Sequence, residues 1–329
     1  MMGPEEWTRR AAIALAGAVA SLPAPMRAQG PNWPERPVRV VVPYAPGGAN
    51  DILGRLYGAR LGERLGQPFV VENRPGAQAI IGTELVARAP ADGYTLLVGA
   101  SGPMVFNPAT YERLPYDTLR DLAPVSLLAT FPLALVVAAN APFGDLAALL
   151  AFARATPERA NYGASAASFQ LPTELLNQRA GTRFQYVAYR GSADTVNAAA
   201  NGEITMALVD TGPAAVAHAA GRVRVLAVTA PQRLPAWPEA PTMRELGFDD
   251  LIVSLWSGLL APAATPAAIV QRLAAECAAI TREEAIGQRL RALSLEPVGS
   301  TPEEFRAVIA RDLPLWAEVA RRGAIRLER

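Results

Sequence analysis

The sequence predicts an α/β fold of mostly parallel strands, divided into two lobes by a pair of long crossings. Three observations predict it. Short apolar segments alternate with helix-patterned ones along the chain, as in βαβ units. Two apolar, extended stretches, 127–137 (LLATFPLALVV) and 250–260 (DLIVSLWSGLL), have the length of crossings between lobes. Residues 38–51, VRVVVPYAPGGAND, pass from an apolar strand through a Pro/Gly turn into a helix.

Taken in order, Val38–Val42 holds four valines, which suits a strand buried on both faces. The turn after it carries Gly47 and Gly48 to a helix expected from about Ile52 to 65. Further strands are expected at 69–72, 95–99, 133–138, 160–162, 184–187, 204–208, 223–228 and 255–261. Helices are expected at 80–88, 145–155, 170–180, 193–200, 213–220, 266–280, 283–293 and 302–321. Thr301-Pro302-Glu303-Glu304 supplies an N-cap, a first-turn proline and acids at the positive dipole end; Thr265-Pro266 repeats the cap-plus-proline pair. If the chain leaves one lobe at the first crossing and returns at the second, residues 29–131 plus 254–329 form lobe 1 and 132–253 form lobe 2. A cleft between two such lobes is a common ligand geometry; a single large sheet with long core strands would give the same periodicity.

Composition narrows the class. The 329 residues are 51% hydrophobic and 19% charged, enough to bury a large core. A formal net charge of +1 and the lack of a basic stripe argue against nucleic-acid binding. Residues 1–28 read as a cleavable secretory signal, with Arg9 and Arg10, an apolar run from Ala11, and small residues up to a cleavage position near Ala28. Thr8-Arg9-Arg10 leaves the general secretory and twin-arginine routes both open. No later stretch is long and apolar enough to span a bilayer, so a soluble exported protein is expected. With one cysteine, Cys277, on an apolar helical face, neither an internal disulfide nor a cysteine-based metal site can form.

Catalytic and cofactor patterns are missing. His218 is the sole histidine and sits before Gly221 near a helix end, where the dipole favours it. A hydrolase would have to pair it with Ser101 or Ser165, and no G-x-S-x-G elbow is present. No P-loop or G-x-G-x-x-G occurs, and ligands for a metal are too few, so no cofactor or metal is expected. What remains is five small-residue loops at predicted strand ends: 44–51, 99–104, 163–170, 189–194 and 210–213. In open α/β sheets, ligands sit beyond the carboxyl ends of strands, and bare N–H groups there attract anions. Singly each loop is ordinary turn chemistry; together they favour a binding cleft in which Arg190 is the one cation.

The motifs WPERPVRVVVPYAPGGAND, QPFVVENRPGAQAIIG, ADGYTLLVG, NPATYERLPYDTLRDLAPVSLL, VAYRGS, GRVRVLAVT, APTMRELG, LWSGLLAPAATP and EPVGSTPEEF, in this order, resemble the Bug family, the periplasmic substrate-binding receptors of tripartite tricarboxylate transporters. The likeness runs from Trp33 to about Ile325. It implies a two-lobed "Venus flytrap" periplasmic binding protein, type II-like, with two hinge crossings, that closes over a small carboxylate (an organic, amino or aromatic acid) and hands it to membrane transporter subunits. A monomer, a periplasmic location and no enzymatic activity go with it. A receptor that presents its ligand to a signalling ectodomain is the alternative.

The resemblance also assigns residues. The carboxylate-contacting turn is Tyr44, Ala45, Pro46, Gly47, Gly48, Ala49, Asn50 and Asp51, with Asp51 expected to brace the turn, because its charge would repel an anion. The resemblance goes on to Ser165, Ala166, Ala167, Ser168 and Phe169, the pair Tyr189 and Arg190, and Asp210; Ala100 and Ser101 join the site from the strand-end loop at 99–104 and not from the resemblance. The lobe-two turn departs from the family's glycine-rich form: it is shorter, has Gln170 where histidine is frequent, and offers Phe169 as an apolar wall.

Overall fold

Strand β1 (Val38–Val42) forms where the valine run predicts it, with every position buried except the half-buried Arg39. Arg39 is held by Glu72 on strand β2 (Phe69–Asn73), which pairs parallel to β1. The computed structural model describes residues 33–326. Only Trp33 of the N-terminal unit, Met1–Trp33, is among them, so the expected export signal at 1–28 and its cleavage near Ala28 lie outside the described residues.

Helix α1 (Ala49–Leu65) follows β1, and α2 (Ile80–Ala87) follows β2. Strand β3 (Thr95–Ala100) leads into a π-helical turn, Gly102–Phe106, and two single-turn helices, α3 (Asn107–Thr110) and α4 (Thr118–Asp121). The chain then enters β4 (Leu122–Ala138), a strand of 17 residues. Helix α5 (Leu146–Ala155), β5 (Asn161–Ala164), α6 (Ala167–Ala180), β6 (Gln185–Ala188), α7 (Ser192–Ala200), β7 (Met206–Asp210), α8 (Thr211–Ala219) and β8 (Val223–Val228) come next. Strand β9 (Ser254–Pro262), α9 (Ala267–Thr281), α10 (Glu284–Ala292), the short β10 (Glu296–Pro297) and α11 (Pro302–Arg322) complete the order.

The strands run β2-β1-β3-β9-β4-β7-β5-β6, with β8 and β10 also paired to β4. Pairing is parallel for β1 with β2 and β3, and for β5 with β6 and β7. It is antiparallel wherever β4 or β9 takes part, which corrects the expectation of mostly parallel strands. The reason is connectivity: one long strand runs out and the other runs back, so each opposes the other and its outer neighbours. β4 pairs with β9 as far as Pro132 and with β7 and β8 from Leu133 onward. The partner change falls at a proline, which cannot donate to a ladder. Thr229, fully buried, ties this point to the approach of β9: its hydroxyl accepts from the Leu133 N–H at 2.8 Å and donates to the Val253 carbonyl.

Helix α11 closes the core. It opens on a full capping box: the Glu304 N–H donates to Thr301 Oγ1 at 3.2 Å, and the Thr301 N–H donates to Glu304 Oε2 at 2.9 Å. The Thr265 expectation does not hold: α9 starts after Pro266, and the buried Thr265 hydroxyl has no hydrogen-bond partner. Phe305 packs edge-on against Trp256 with ring centroids 5.1 Å apart, and Trp316 lies 4.9 Å from Phe106. Cys277 is fully buried, and burial pushes its thiol up to about 12. No helix among the described residues is long and apolar enough to cross a membrane.

At Gly258 on β9, an added Cβ would overlap the Phe305 ring and approach the Ser126 carbonyl oxygen to 2.9 Å. Gly258→Ala is therefore expected to destabilise the protein by about 1–3 kcal/mol, read from urea unfolding at pH 7.

Candidate functional site

The β1–α1 turn adopts its shape because Gly47 takes φ +88°, the left-handed region that side chains disfavour. Gly48 is the N-cap, and α1 begins at Ala49, earlier than the expected Ile52. Asp51 is buried beneath the turn. Its carboxylate accepts from Arg55 Nε at 3.0 Å, from the Gly47 N–H at 2.9 Å and from Asn73 Nδ2 at 2.9 Å. Those donors, Arg55 foremost, hold its pKa down at about 2. Asn73 Nδ2 also donates to the Tyr44 carbonyl at 3.1 Å, so the turn is strapped to β2.

This turn forms one wall of a cavity of about 1080 Å³. Gly48, Ala49 and Asn50 open α1; Ala166, Ala167 and Ser168 open α6; Asp210, Thr211 and Gly212 open α8; all of them line it. Ser101 and Gly102 add the start of the π-helical turn. None of α1, α6 and α8 has a side-chain cap, whereas α4, α5 and α11, which are capped by Asp117, Asp145 and Thr301, open elsewhere. First-turn N–H groups have no partner within their own helix. Their positive dipole ends thus converge on one space, which can receive an anion by N–H donation.

Of the residues expected from the sequence, Tyr44, Gly47, Gly48, Ala49, Asn50, Ala100, Ser101, Ser165, Ala166, Ala167, Ser168, Phe169 and Asp210 line the cavity. Five expected residues do not line it. Ala45 and Pro46 are exposed on the outer side of the turn, and Asp51 lies under it as its brace. Tyr189 packs on β5, with its ring 3.0 Å from the place a Gly163 Cβ would take, and Arg190 is exposed. The expected cation therefore lies away from the cavity, because β6 ends at Ala188 and the turn to α7 faces outward.

The structure adds residues that the sequence reading missed. Phe131, from the midpoint of β4, and Tyr186, from β6, line the cavity, as do Glu174 and Gln78. Gln78 sits between Ala77 and Ala79, and all three take positive φ (46°, 52° and 69°). That conformation costs roughly 1–2 kcal/mol per residue. The turn is pinned where Asn107 Nδ2 donates to the Gln78 carbonyl at 2.9 Å and the Ile80 N–H donates to Ala77 at 3.0 Å. The glycine before this run, Gly76, was the available signal, since left-handed turns gather around glycine.

Charge in the cavity is mainly acidic. Glu174 receives the Tyr162 hydroxyl at 2.7 Å, and Asp210 receives the Ser192 hydroxyl at 2.7 Å. Burial raises the Asp210 pKa. Arg326 is the one lining cation among the described residues; it is largely exposed and ion-paired with Glu112 at 3.1 Å. His218 is not in the lining: its Nδ1 lies 3.3 Å from the Val223 carbonyl and its ring stands edge-on to Trp237. The Ser–His hydrolase alternative loses its base, since Ser101 and Ser165 line a cavity His218 does not enter.

Comparison with known proteins agrees with this geometry. The family described as "Tripartite tricarboxylate transporter family receptor" matches residues 54–325. BugT of Bordetella pertussis is 34% identical over 322 residues, covering 97% of this chain and 98% of that protein. Among solved structures, Rpa4515 of R. palustris, determined with adipate, superposes with a TM-score of 0.78 at 34% identity, covering 89% of this chain and 99% of that one. MatC of Rhodopseudomonas palustris, determined with bound malate, gives 0.74 at 29% identity, covering 87% and 99%. The matched family is one of transporter receptors and not of enzymes, and the chain shares the periplasmic binding protein fold of BugD, which superposes with a TM-score of 0.74 at 27% identity, covering 90% of this chain and 100% of that one.

Replacing the brace tests its role. Asp51→Ala is expected to lower stability by about 1–3 kcal/mol at pH 7, because it removes the acceptor shared by Arg55, the Gly47 N–H and the Asn73 amide. Asp51 is held below its ordinary value in the fold, so its contribution is full above pH ~4 and fades as pH falls toward about 2. Unfolding titrations should show the gap between the two proteins closing over that window.

Proposed function

The chain belongs to the tripartite tricarboxylate transporter receptor family, and from that premise we propose that it captures a small carboxylate between its lobes and delivers it to membrane transporter subunits. The observation that carries this reading is the meeting of three uncapped helix N-termini in one cavity with no free cation among its described lining residues. Oriented N–H donors bind a carboxylate by charge-assisted hydrogen bonds and need no matching side chain. In this reading the ligand-contacting residues are Tyr44, Gly47 to Asn50, Ala100, Ser101, Ser165 to Phe169 and Asp210.

The lobes are residues 29–131 with 254–329, and 132–253. The change of partners along β4 at Pro132 and the start of β9 at Ser254 support that division. Closure bends these two crossings, and the closed form is what the transporter meets. Cleavage near Ala28 releases the receptor into the periplasm as a monomer. It binds no nucleic acid, in keeping with its net charge of +1.

A thermal-shift panel tests the proposal. A carboxylate that binds only the folded state, present at 100 times its Kd, adds about 2.7 kcal/mol, which for a chain of this size raises Tm by roughly 3–8 °C. A panel in which no carboxylate shifts Tm while a neutral sugar or a cation does would overturn it. Ala49→Asp places a charge at the first position of α1. It is expected to weaken carboxylate binding at least tenfold, at about 1.4 kcal/mol per decade, while Tm without ligand holds or rises, since an acid suits a helix start.

A further inference from the structure

The side chains around the cavity say which carboxylate fits, and this inference rests on the receptor reading above. We propose that the ligand is a monocarboxylate with an aromatic or comparably flat apolar body, and that Phe131, Phe169 and Tyr186 select it over dicarboxylates.

The anion-holding end lies at the starts of α1 and α6. The lining around it is aromatic. Phe169 belongs to the first turn of α6 and is only 8% exposed, backed by the core. Phe131 comes from β4 beside the crossing point. Tyr186 is 44% exposed, an unusual state for a large ring, and its neighbour Tyr162 holds it at a centroid distance of 5.7 Å. Rings presented by different strands and helices around one space offer faces and edges to a planar guest. Such walls bind by burying apolar surface and give nothing to a second charge.

The charged groups point the same way. A dicarboxylate needs a donor set for its far end, and the one helix start left over, that of α8, carries the Asp210 carboxylate at its N-cap. The remaining titratable lining groups are Glu174, Asp210 and the Tyr44 phenol, with Arg326 at the rim already paired to Glu112. Glu174 is fixed by Tyr162 and Asp210 by Ser192, each through a hydroxyl that donates to it. A second carboxylate brought near either acid meets a carboxyl group in place of a donor set, in a partly desolvated space. A hydroxyl or amino substituent on the ring would instead find acceptors there. The cavity, at about 1080 Å³, has room for a ring-bearing acid.

The test is calorimetric titration of the mature protein, after unfolding and refolding to strip carried-over ligand, with benzoate, phenylacetate, 4-hydroxybenzoate, adipate, malate and benzyl alcohol. The expected result is an aromatic acid that binds at least about tenfold tighter than adipate or malate, with no heat from benzyl alcohol. Phe169→Ala and Phe131→Ala should each weaken the aromatic acid by about 2- to 10-fold and leave adipate unmoved. Asp210→Asn should tighten adipate. Adipate or malate binding as well as or better than every aromatic acid overturns this inference and leaves the receptor reading standing. Binding of benzyl alcohol with no response to any acid overturns both. Silence from all six overturns the inference, with the wider carboxylate panel then deciding the receptor reading alone.

Discussion

An uncapped helix start is the constraint on which the site depends. Each of α1, α6 and α8 begins with N–H groups that its own backbone cannot satisfy. Three helices elsewhere in the molecule solve the problem locally, by Asp117, Asp145 or the Thr301–Glu304 box. At the cavity it is left to solvent or ligand. A cap of that kind would fill the anion's place, so Gly48 and Ala166 in the N-cap positions are what keep it open. Asp210, the third N-cap residue, does not turn its carboxylate back on the α8 N–H groups; Ser192 holds it instead.

That arrangement explains the placing of Asp51. An acid in the first turn of a helix is favoured by the dipole, yet beside an anion site it would compete with the ligand. The fold keeps the dipole benefit and removes the competition by burying the carboxylate under the turn, saturated by Arg55, Asn73 and the Gly47 N–H. The same contacts hold the left-handed Gly47 in place, so the double-glycine turn is preorganised before any ligand arrives. The long strand β4 plays the matching part at larger scale. By pairing first with β9 and then with β7 and β8, it places both sets of helix starts around one space.

Much of this was legible in the sequence, and the failures share a cause. The valine run, the crossings and the glycine turn carry strong signals, because apolar periodicity and φ preferences are local. Helix starts at the site were read too late, at Ile52, Gln170 and Pro213 instead of Ala49, Ala167 and Thr211: α1 and α6 have Gly48 and Ala166 at the N-cap and so give no capping signal, and Asp210 before α8 was read as a loop residue. Strand direction was misread, since periodicity says nothing about which way a strand runs. Tyr189 and Arg190 were placed in the site by the strand-end loop argument and by resemblance, and Phe131, Tyr186 and Glu174 were missed, because which face of β6 or α6 looks inward depends on register. Loss of the histidine and glycines from the lobe-two turn was visible, and it is where the apolar wall now stands.

The strained run from Ala77 to Ala79 bears on how such a site holds its shape. Three consecutive residues with side chains in the left-handed region oppose folding by several kcal/mol in sum, so the surroundings must over-determine them. They do: Asn107, itself buried, anchors the central carbonyl, and α2 begins at the next residue. Glycines would relieve the strain but would also let the turn move. With side chains present, few other conformations compete, and Gln78 is kept at the cavity wall. Rigid walls suit a guest recognised by its outline, since a ring gains contact only where the surface does not yield. The anion end gains from the same stiffness, because N–H donors fixed in direction need little reordering when the charge arrives.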